Sequence, residues 1–194
     1  MLTDDQARLL KEWKLIPQRV LDARGMQRAE FLREATAQGK VAFAPHSPCV
    51  HGHVFWLGSG HCVQCRPQVL TSWRKYYEDG WVYIASSETL RLHKIGATTS
   101  PFERPRQLRE GYGGAKDWLT TYRRQFRNHG RVEDGAKKAL EPFKVRREYV
   151  HRGKLIDARE LFSCNYQVVR DAIDAFGFQA LGDGDEAGKI LMRW

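Results

Sequence analysis

Apolar residues recur along the chain with two different periods, and the change of period divides the chain into segments. Between residues 3 and about 40, apolar residues such as Leu9 and Trp13 recur at helical spacing after a Thr-Asp-Asp start that suits a helix N-terminus. Pro17 interrupts this stripe, and a second apolar face follows it. The pattern therefore predicts an N-terminal helical region at residues 1–44.

From residue 80 the chain alternates between short β-branched or aromatic runs and helical stretches. Two runs, WVYIAS and LHKIGAT, are separated by a link short enough for an antiparallel hairpin, and WLTTYRRQF is predicted to be a third strand at the sheet edge. Helices are predicted after Ser100, around Val132–Phe143 and at YQVVRDAIDAFGF, with a further short strand at ELFSC. The pattern predicts an α/β (α+β) domain at residues 80–178, a small three-stranded, mostly antiparallel sheet flanked by helices, and a flexible tail at residues 179–194.

The segment between these parts, residues 45–79, is rich in proline, glycine, cysteine and histidine and has little helical period. It contains a C-x3-H pair, Cys49 and His53, and a C-x2-C pair, Cys62 and Cys65. Zinc takes four nitrogen or sulfur ligands in a tetrahedron, and C-x2-C forms a tight knuckle that presents two thiolates to one ion. A segment this polar has little else to hold it together, so we predict a structural zinc knuckle followed by a linker.

The fourth zinc ligand is the least constrained of the set. His51 and His61 compete with His53, although the first lies only two residues from Cys49 and the second is adjacent to another cysteine ligand. The alternative is a segment that buries three thiols without a metal. Cys164 stands apart in an apolar run and is predicted to be a core residue.

The net charge of +9, from 32 lysines and arginines against 23 acidic residues, raises the question of a partner. An excess of this size favours a polyanion, nucleic acid ahead of an anionic membrane surface, over a merely soluble basic protein. Four arginines beside the N-terminal apolar face form either an arm that touches the DNA backbone or a solvated helix face: Arg19, Arg24, Arg28 and Arg33. The N-terminus lacks signal-peptide features and no apolar run could span a membrane, so we expect a cytoplasmic protein of a bacterium or a phage-infected cell.

Three polar residues between Gly80 and Arg106 have the types that phosphodiester hydrolysis needs. A hairpin would place Tyr83 and Lys94, each in mid-strand, side by side, and a neighbouring ammonium group favours the phenolate form of tyrosine. Tyr83 is therefore a candidate general base for activating water. Arg104, on the following helix, offers a guanidinium fork that suits phosphate oxygens.

The same reaction needs a carboxylate, usually as a ligand of a divalent cation. Glu133 is the best candidate because it opens the predicted helix, where a carboxylate is favourable, and Asp134 and Glu141 are its rivals. Each candidate also has an ordinary role: tyrosine packs in strands, lysine charges a sheet edge, and glutamate caps a helix. The residue types alone therefore leave catalysis and structure both open.

Taken in order, these motifs resemble those of the GIY-YIG nuclease superfamily. VYI, KIG and ERPR resemble its two short motifs and the arginine that follows them, and the lysine of KIG is typical of a phage-type branch. VEDGAKKALEPFKVRR and ARELF are similar to that branch's helix with a metal-binding glutamate and to the strand after it. The upstream cysteine and histidine element is similar to zinc knuckles attached to phage nucleases. The resemblance covers residues 80–176 and the knuckle.

The resemblance implies a metal-dependent DNA endonuclease that uses one magnesium or manganese ion. On this interpretation Tyr83 is the base, Lys94 tunes it, Arg104 holds the scissile phosphate, and Glu133 binds the magnesium. Double-stranded DNA is the implied partner, also contacted by three basic residues: Arg106, Arg109 and Lys137. A homodimer is open by analogy with members that cut palindromes.

The sequence also departs from the family pattern near the predicted site. Leu108 and Lys137 stand where many members have histidines, and Asn165 is not a clear counterpart of a late asparagine. Glu160 matches a position whose role the residues do not reveal. Two other classes therefore stay open: a DNA-binding module of the same fold that does not cleave, and a zinc-dependent adaptor for proteins.

Overall fold

The computed structural model describes residues 2–100 and 103–184, apart from the side chains of Arg104 and Pro105. The chain divides into two compact units, residues 1–73 and 74–194. The finer division predicted above, with boundaries after residues 44, 79 and 178, stays a prediction. The predicted tail lies outside the described residues from residue 185 onward.

The first unit combines the predicted helical region with a three-stranded sheet. Its elements in chain order are α1 (Asp4–Glu12), β1 (Val20–Asp22), α2 (Arg28–Gln38), β2 (Val41–Phe43) and β3 (Phe55–Leu57), and α3 (Gln68–Tyr77) begins in it and ends in the second unit. Strand β2 is central, parallel to β1 and antiparallel to β3. The pattern predicted none of these three strands, because each is three residues long, forms by pairing with a distant segment and leaves no period of its own.

The N-terminal arginines contact groups of their own unit. Arg24 Nη2 lies 2.5 Å from Asp22 Oδ2, and the Arg28 guanidinium lies 3.9 Å from the centre of a Trp56 ring. Arg19 Nη1 lies 3.5 Å from the backbone oxygen of Gly39. These arginines are therefore at least partly used in holding the small sheet and its helices together.

The second unit confirms the α+β fold class and enlarges the predicted sheet. Its elements are β4 (Gly80–Ser87), β5 (Leu92–Thr98), α4 (Glu103–Leu108), β6 (Leu119–Phe126), α5 (His129–Ala139), β7 (Lys144–His151), β8 (Lys154–Phe162) and α6 (Tyr166–Asp174). The sheet order is β6-β4-β5-β8-β7, with every neighbouring pair antiparallel. The predicted hairpin β4–β5 and the edge strand β6 are present, and β8 and β7 extend the sheet to five strands. Strand β7 was missed because none of its residues is buried and half of them are charged, so it leaves no hydrophobic period.

The five-stranded sheet carries a different core on each face. One face packs against α5 and α6 through residues such as Ile84, Ile95, Val132 and Val169. The opposite face is covered by a second cluster: Tyr83, Ala85, Leu92, Leu108, Ala115, Trp118, Ala158 and Leu161. The predicted catalytic tyrosine therefore belongs to the face opposite α5.

Strands β5 and β8 are paired over a short distance before they separate. Among the described residues their pairs are His93 with Phe162 and Lys94 with Leu161. The remainder of β8 pairs with β7 alone, as far as His151 and Lys154. Lys94 therefore lies where β5 and β8 separate, a point that we call the fork. Several charged side chains come together there.

Candidate active site and metal centre

Tyr83 and Lys94 point to the same face of the β4–β5 hairpin. Tyr83 is opposite Gly96 and Lys94 is opposite Ala85, so the two side chains are diagonal neighbours rather than a direct cross-strand pair. A Cβ atom on Gly96 would lie 2.4 Å from Tyr83 Oη, which means that the phenol lies directly over the glycine. The glycine of the KIG segment therefore makes the space that the tyrosine of VYI fills.

Five charged residues from four elements form an alternating chain of ion pairs at the fork. Lys94 Nζ donates to Glu160 Oε2, and Lys137 Nζ donates to Glu160 Oε1. Lys137 Nζ also lies 2.8 Å from Glu133 Oε1, and Lys75 Nζ lies 3.3 Å from Glu133 Oε2. Each carboxylate is thus held between two ammonium groups. We call Lys75, Lys94, Glu133, Lys137 and Glu160 the charged cluster.

The charged cluster is half buried, and its pKa values reflect both burial and pairing. The Lys94 side chain is 2% exposed, and burial lowers its pKa despite the opposing effect of Glu160. Burial by itself would raise the pKa of Glu160, but Lys94 and Lys137 lower it to about 2. For Lys137, burial is again outweighed, because Glu133 and Glu160 raise its pKa. Glu160 therefore stays ionised at neutral pH.

Glu133 enters the cluster from the second turn of α5, not from its first turn. The helix begins at His129, four residues earlier than the position predicted for a capping glutamate, after Asn128 in the left-handed conformation with φ 53°. Glu133 Oε1 accepts a hydrogen bond of 3.1 Å from Ala97 N at the end of β5, and Lys137 lies one turn further along the same helix face. Backbone and lysine contacts therefore hold this carboxylate, rather than the helix N-terminus.

The two rival carboxylates are placed differently. Asp134 accepts a hydrogen bond from the Tyr76 hydroxyl, which raises the pKa of that tyrosine to about 12. Glu141 lies beyond α5, is largely exposed, and pairs with Lys144 at 2.9 Å. Of the three carboxylates proposed from the sequence, Glu133 is the one that the contacts of the charged cluster join to Lys94.

The remaining predicted residues lie on or near α4. The side chain of Arg104 is outside the described residues, and Arg106 is exposed on the same helix. Arg109 Nε donates to the backbone oxygen of Trp118 at 3.0 Å, so part of its guanidinium has a structural contact. Leu108, which replaces a family histidine, is buried in the core of the Tyr83 face.

Asn165 and Glu160 had no predicted role, and the structure shows specific contacts for both. Asn165 caps α6, because its side-chain oxygen accepts a hydrogen bond of 2.8 Å from Gln167 N. Glu160 joins Lys94 to Lys137.

Two neighbours of the charged residues were missed by sequence reasoning. The ring centre of Tyr112 lies 4.7 Å from Lys94 Nζ, close enough for a cation–π contact. Lys75 was missed because nothing local in a linker sequence signals a partner on α5.

The four predicted zinc ligands are brought together in the first unit. One ligand atom each from Cys49, His53, Cys62 and Cys65 lies within 4.8 Å of all the others. The sulfur atoms of Cys49 and Cys65 are 3.7 Å apart, and His53 Nδ1 lies 3.2 Å from Cys65 Sγ and 3.7 Å from Cys62 Sγ. Two sulfurs on a tetrahedral zinc with bonds of about 2.3 Å lie about 3.8 Å apart. The cluster could therefore bind a metal such as zinc.

Short backbone contacts select His53 as the histidine of this cluster. Cys49 N donates to the His53 oxygen at 2.8 Å and Gly52 N donates to the Cys49 oxygen at 2.9 Å, which closes a tight turn with Gly52 at φ +76°. The imidazole of His61 instead contacts the Ser59 hydroxyl at 3.0 Å. Burial works against the Cys49 thiolate, but the backbone N–H groups of His51 and His53 lower the pKa of that thiol.

The second unit is thus an α+β domain with three lysines and two glutamates gathered at the fork of its sheet. The model of the T5orf172 domain matches residues 80–177, just over half of the chain, and the chain therefore belongs to the T5orf172 domain family. This is a phage-associated domain of the HNH or GIY-YIG-like endonuclease type, which indicates a nuclease-like or DNA-binding function. No curated protein and no solved structure matches the chain. In the part of the chain that the structure describes, no helix is long and apolar enough to cross a membrane.

Proposed function

We propose that this chain is a metal-dependent DNA endonuclease that hydrolyses phosphodiester bonds by a GIY-YIG-type mechanism. The observation that carries the proposal is the meeting of Lys94, Glu133 and Glu160 at the sheet fork, within a domain of an endonuclease-like family. Tyr83 lies on the same sheet face as Lys94. The VYI and KIG segments thus lie on neighbouring strands, which supports the proposal.

The roles follow from the chemistry of the side chains. Tyr83 accepts a proton from the attacking water, and the neighbouring ammonium of Lys94 stabilises the phenolate that this requires. Lys94 is itself held by Glu160, so the glutamate positions the lysine and limits its movement. Arg104, from α4, binds the oxygens of the scissile phosphate through its guanidinium fork. Arg106, Arg109 and Lys137 add positive charge for the DNA backbone.

Glu133 and Glu160 are the residues that fit a divalent cation. Magnesium takes hard oxygen ligands, and it commonly binds through one or two carboxylates while keeping several waters. The ammonium group of Lys137 contacts an oxygen of each carboxylate, so a cationic group already bridges them. When bound, the metal would stabilise negative charge on the phosphate as a Lewis acid. Glu133 would have to give up a lysine contact to receive it.

The Cys3His cluster has a structural role in this proposal. Four protein ligands complete a tetrahedral zinc and leave no position open for water or substrate. Zinc therefore holds residues 49–65 in shape, and the chemistry belongs to the second unit.

Cleavage of supercoiled plasmid with added magnesium tests the proposal. We expect wild type to nick and linearise the plasmid, while Glu133→Gln and Tyr83→Phe cut at least about 100-fold more slowly. Glu141→Gln is the matched control, because it removes an exposed carboxylate of the same type that pairs outside the charged cluster. Equal cleavage by Glu133→Gln and wild type would contradict the metal assignment, and equal cleavage by Tyr83→Phe would contradict the base.

A second candidate is a DNA-binding module of the same fold that does not cleave. The observation that favours it is that both oxygens of Glu133 already have partners, in Lys137, Ala97 and Lys75. The absence of histidines at Leu108 and Lys137 points the same way. This candidate predicts that wild type binds duplex DNA and leaves the plasmid intact with magnesium and with manganese.

A further inference from the structure

The hairpin formed by β7 and β8 projects from the sheet beyond the fork. Its two strands are paired from Lys144–Phe162 to His151–Lys154, whereas β8 pairs with β5 at Leu161 and Phe162. At the far end, Arg152 and Gly153 have φ values of 50° and 74°. Two consecutive left-handed residues between paired strands form the tight type I′ turn, whose twist matches that of the strands. The hairpin is therefore a well-defined two-stranded ribbon. Strand β7 rests on residues 112–114: the ring centres of Tyr149 and Tyr112 are 5.8 Å apart, and Arg147 Nε donates to Gly113 O at 2.7 Å.

The tip of this ribbon carries an exposed apolar pair. Val150 and Leu155 are direct cross-strand partners, and they are 69% and 67% exposed. The Arg152 side chain, next to them in the turn, is 81% exposed, and its Nη2 lies 3.6 Å from Glu110 Oε2 in a solvent-exposed ion pair. Two large aliphatic residues held together on a narrow tip cost hydration free energy in water, so the tip has the composition of a binding surface.

The charge of the ribbon indicates what this surface binds. From residue 144 to residue 159, basic residues outnumber acidic ones: Lys144, Arg146, Arg147, Arg152, Lys154 and Arg159 against Glu148 and Asp157. Three of these basic residues already have carboxylate partners in the chain, in the pairs Lys144–Glu141, Arg152–Glu110 and Arg159–Asp157. Exposed ion pairs are weak, so phosphates could replace these partners. A second copy of the same ribbon would bring like charges together, whereas a polyanion would neutralise the excess. The combination of basic flanks with an aliphatic tip matches proteins that enter the minor groove of DNA and insert an apolar wedge between base pairs.

We propose that the β7–β8 hairpin is a DNA-binding arm that enters the minor groove of double-stranded DNA. Val150 and Leu155 are the wedge that unstacks a base step, and Arg152 and Lys154 bind the flanking phosphates. This inference rests on the proposed function, since it takes DNA to be the partner of the second unit. It adds a distortion of the bound DNA, which the cleavage chemistry does not require.

The test measures binding and bending of one end-labelled duplex without added magnesium. Fluorescence anisotropy gives the affinity, and energy transfer between the two ends gives the bend. We expect wild type to bring the ends closer, and the double variant Val150→Ser, Leu155→Ser to bind about 5- to 50-fold more weakly without bending the duplex. Phe178→Ser is the control, because it removes another exposed apolar side chain, 81% exposed, from the same unit.

A second double variant, Arg152→Ala with Lys154→Ala, separates the contribution of the basic side chains from that of the apolar wedge. It should reduce the slope of log affinity against log salt by about 2, because two phosphate contacts are lost. Both pairs of positions are exposed at the tip, so their replacement leaves the two sheet cores untouched. Circular dichroism and the thermal midpoint of each variant check that it is folded.

The outcomes distinguish the arm from the proposed function. If the serine variant bends DNA as wild type does, the arm proposal is overturned and the endonuclease is unaffected. The arm is likewise overturned if wild type sediments as a dimer and the serine variant as a monomer with unchanged bending, because the tip is then an interface between copies. Bending by a wild type that cuts nothing supports the arm and rejects the endonuclease. A wild type that binds no DNA rejects both.

Discussion

Gly96 is the residue that most directly links local geometry to the proposed chemistry. It lies opposite Tyr83 in the β4–β5 hairpin, and the phenol occupies the space that a side chain would fill. The sequence placed Tyr83 and Lys94 on neighbouring strands but could not give the pairing register, which decides that they are diagonal neighbours. Register depends on the turn and on both faces of the sheet, so it is a property of the folded hairpin.

We predict that Gly96→Ala impairs cleavage more than stability. The new methyl group must displace the Tyr83 ring, and a shift of about 1 Å in a catalytic group can cost about 100-fold in rate. Gly80→Ala is the matched control, because its methyl group would lie 2.5 Å from the His129 ring instead. Overpacking should destabilise both variants by about 1–3 kcal/mol. Urea unfolding and plasmid cleavage are measured together, and equal cleavage by the two variants would contradict the prediction.

His93 is a buried histidine that should make the stability of the fold depend on pH. It is completely buried, its Nδ1 lies 2.7 Å from the Ser86 hydroxyl, and burial lowers its pKa from 6.5 to about 4. Below pH 6.5 the unfolded chain binds a proton at this histidine that the folded chain does not. The contribution of neutral His93 to the free energy of unfolding is therefore fully present above pH 6.5. It is lost as the pH falls toward 4, which lowers the free energy of unfolding by about 3 kcal/mol.

Urea unfolding of wild type and His93→Gln between pH 7 and pH 4 measures this contribution. We expect the wild type to lose more stability on acidification than the variant, whose curve should be flatter. His151→Gln is the control, because it makes the same replacement at a histidine that is only partly buried, in the β7–β8 hairpin. Parallel curves for wild type and His93→Gln would show that this buried imidazole is not responsible.

Among the elements, long strands with an apolar face were predictable, whereas the three-residue strands β1, β2 and β3 and the exposed strand β7 were not. Strands β4, β5 and β6 carry β-branched and aromatic residues and follow the expected hairpin order. Strand β7 is exposed on much of its surface, and β1 is three residues long, so neither has enough buried positions to leave a period. The N-terminus of α5 was also misplaced, because His129 and Gly130 carry no helical signal of their own.

The Cys3His knuckle is the element whose prediction is easiest to test. We expect equimolar zinc in the wild type by elemental analysis. Cys65→Ser should lose most of this zinc and destabilise residues 1–73, because metal binding supplies folding free energy that a small sheet cannot replace. Cys164→Ser is the matched control, since Cys164 packs against the core of the other unit. Retention of zinc by Cys65→Ser, or its loss in Cys164→Ser, would contradict the ligand set.

At the scale of the whole molecule, charge could be predicted from composition but its arrangement could not. The excess of +9 indicated a polyanion, and the structure concentrates part of that charge around the carboxylates of Glu133 and Glu160 and along a projecting hairpin. Residues 58 positions apart, such as Lys75 and Glu133, meet only in the folded chain. No local period encodes such a pair, so the charged cluster emerges only from three-dimensional contacts.

The intact chain should bind duplex DNA with an affinity that depends strongly on salt. A protein that neutralises phosphates releases counterions, and with at least about four such contacts the affinity should fall by about a hundredfold or more between about 50 and 200 mM salt. Gel-shift or anisotropy titrations over this range, without added magnesium, give the slope. Both the endonuclease and the non-cleaving DNA-binding module require it, because each uses basic side chains on the phosphate backbone. A zinc-dependent adaptor for proteins requires no such binding, so a chain that holds zinc and binds no duplex even at low salt would favour that class over the other two.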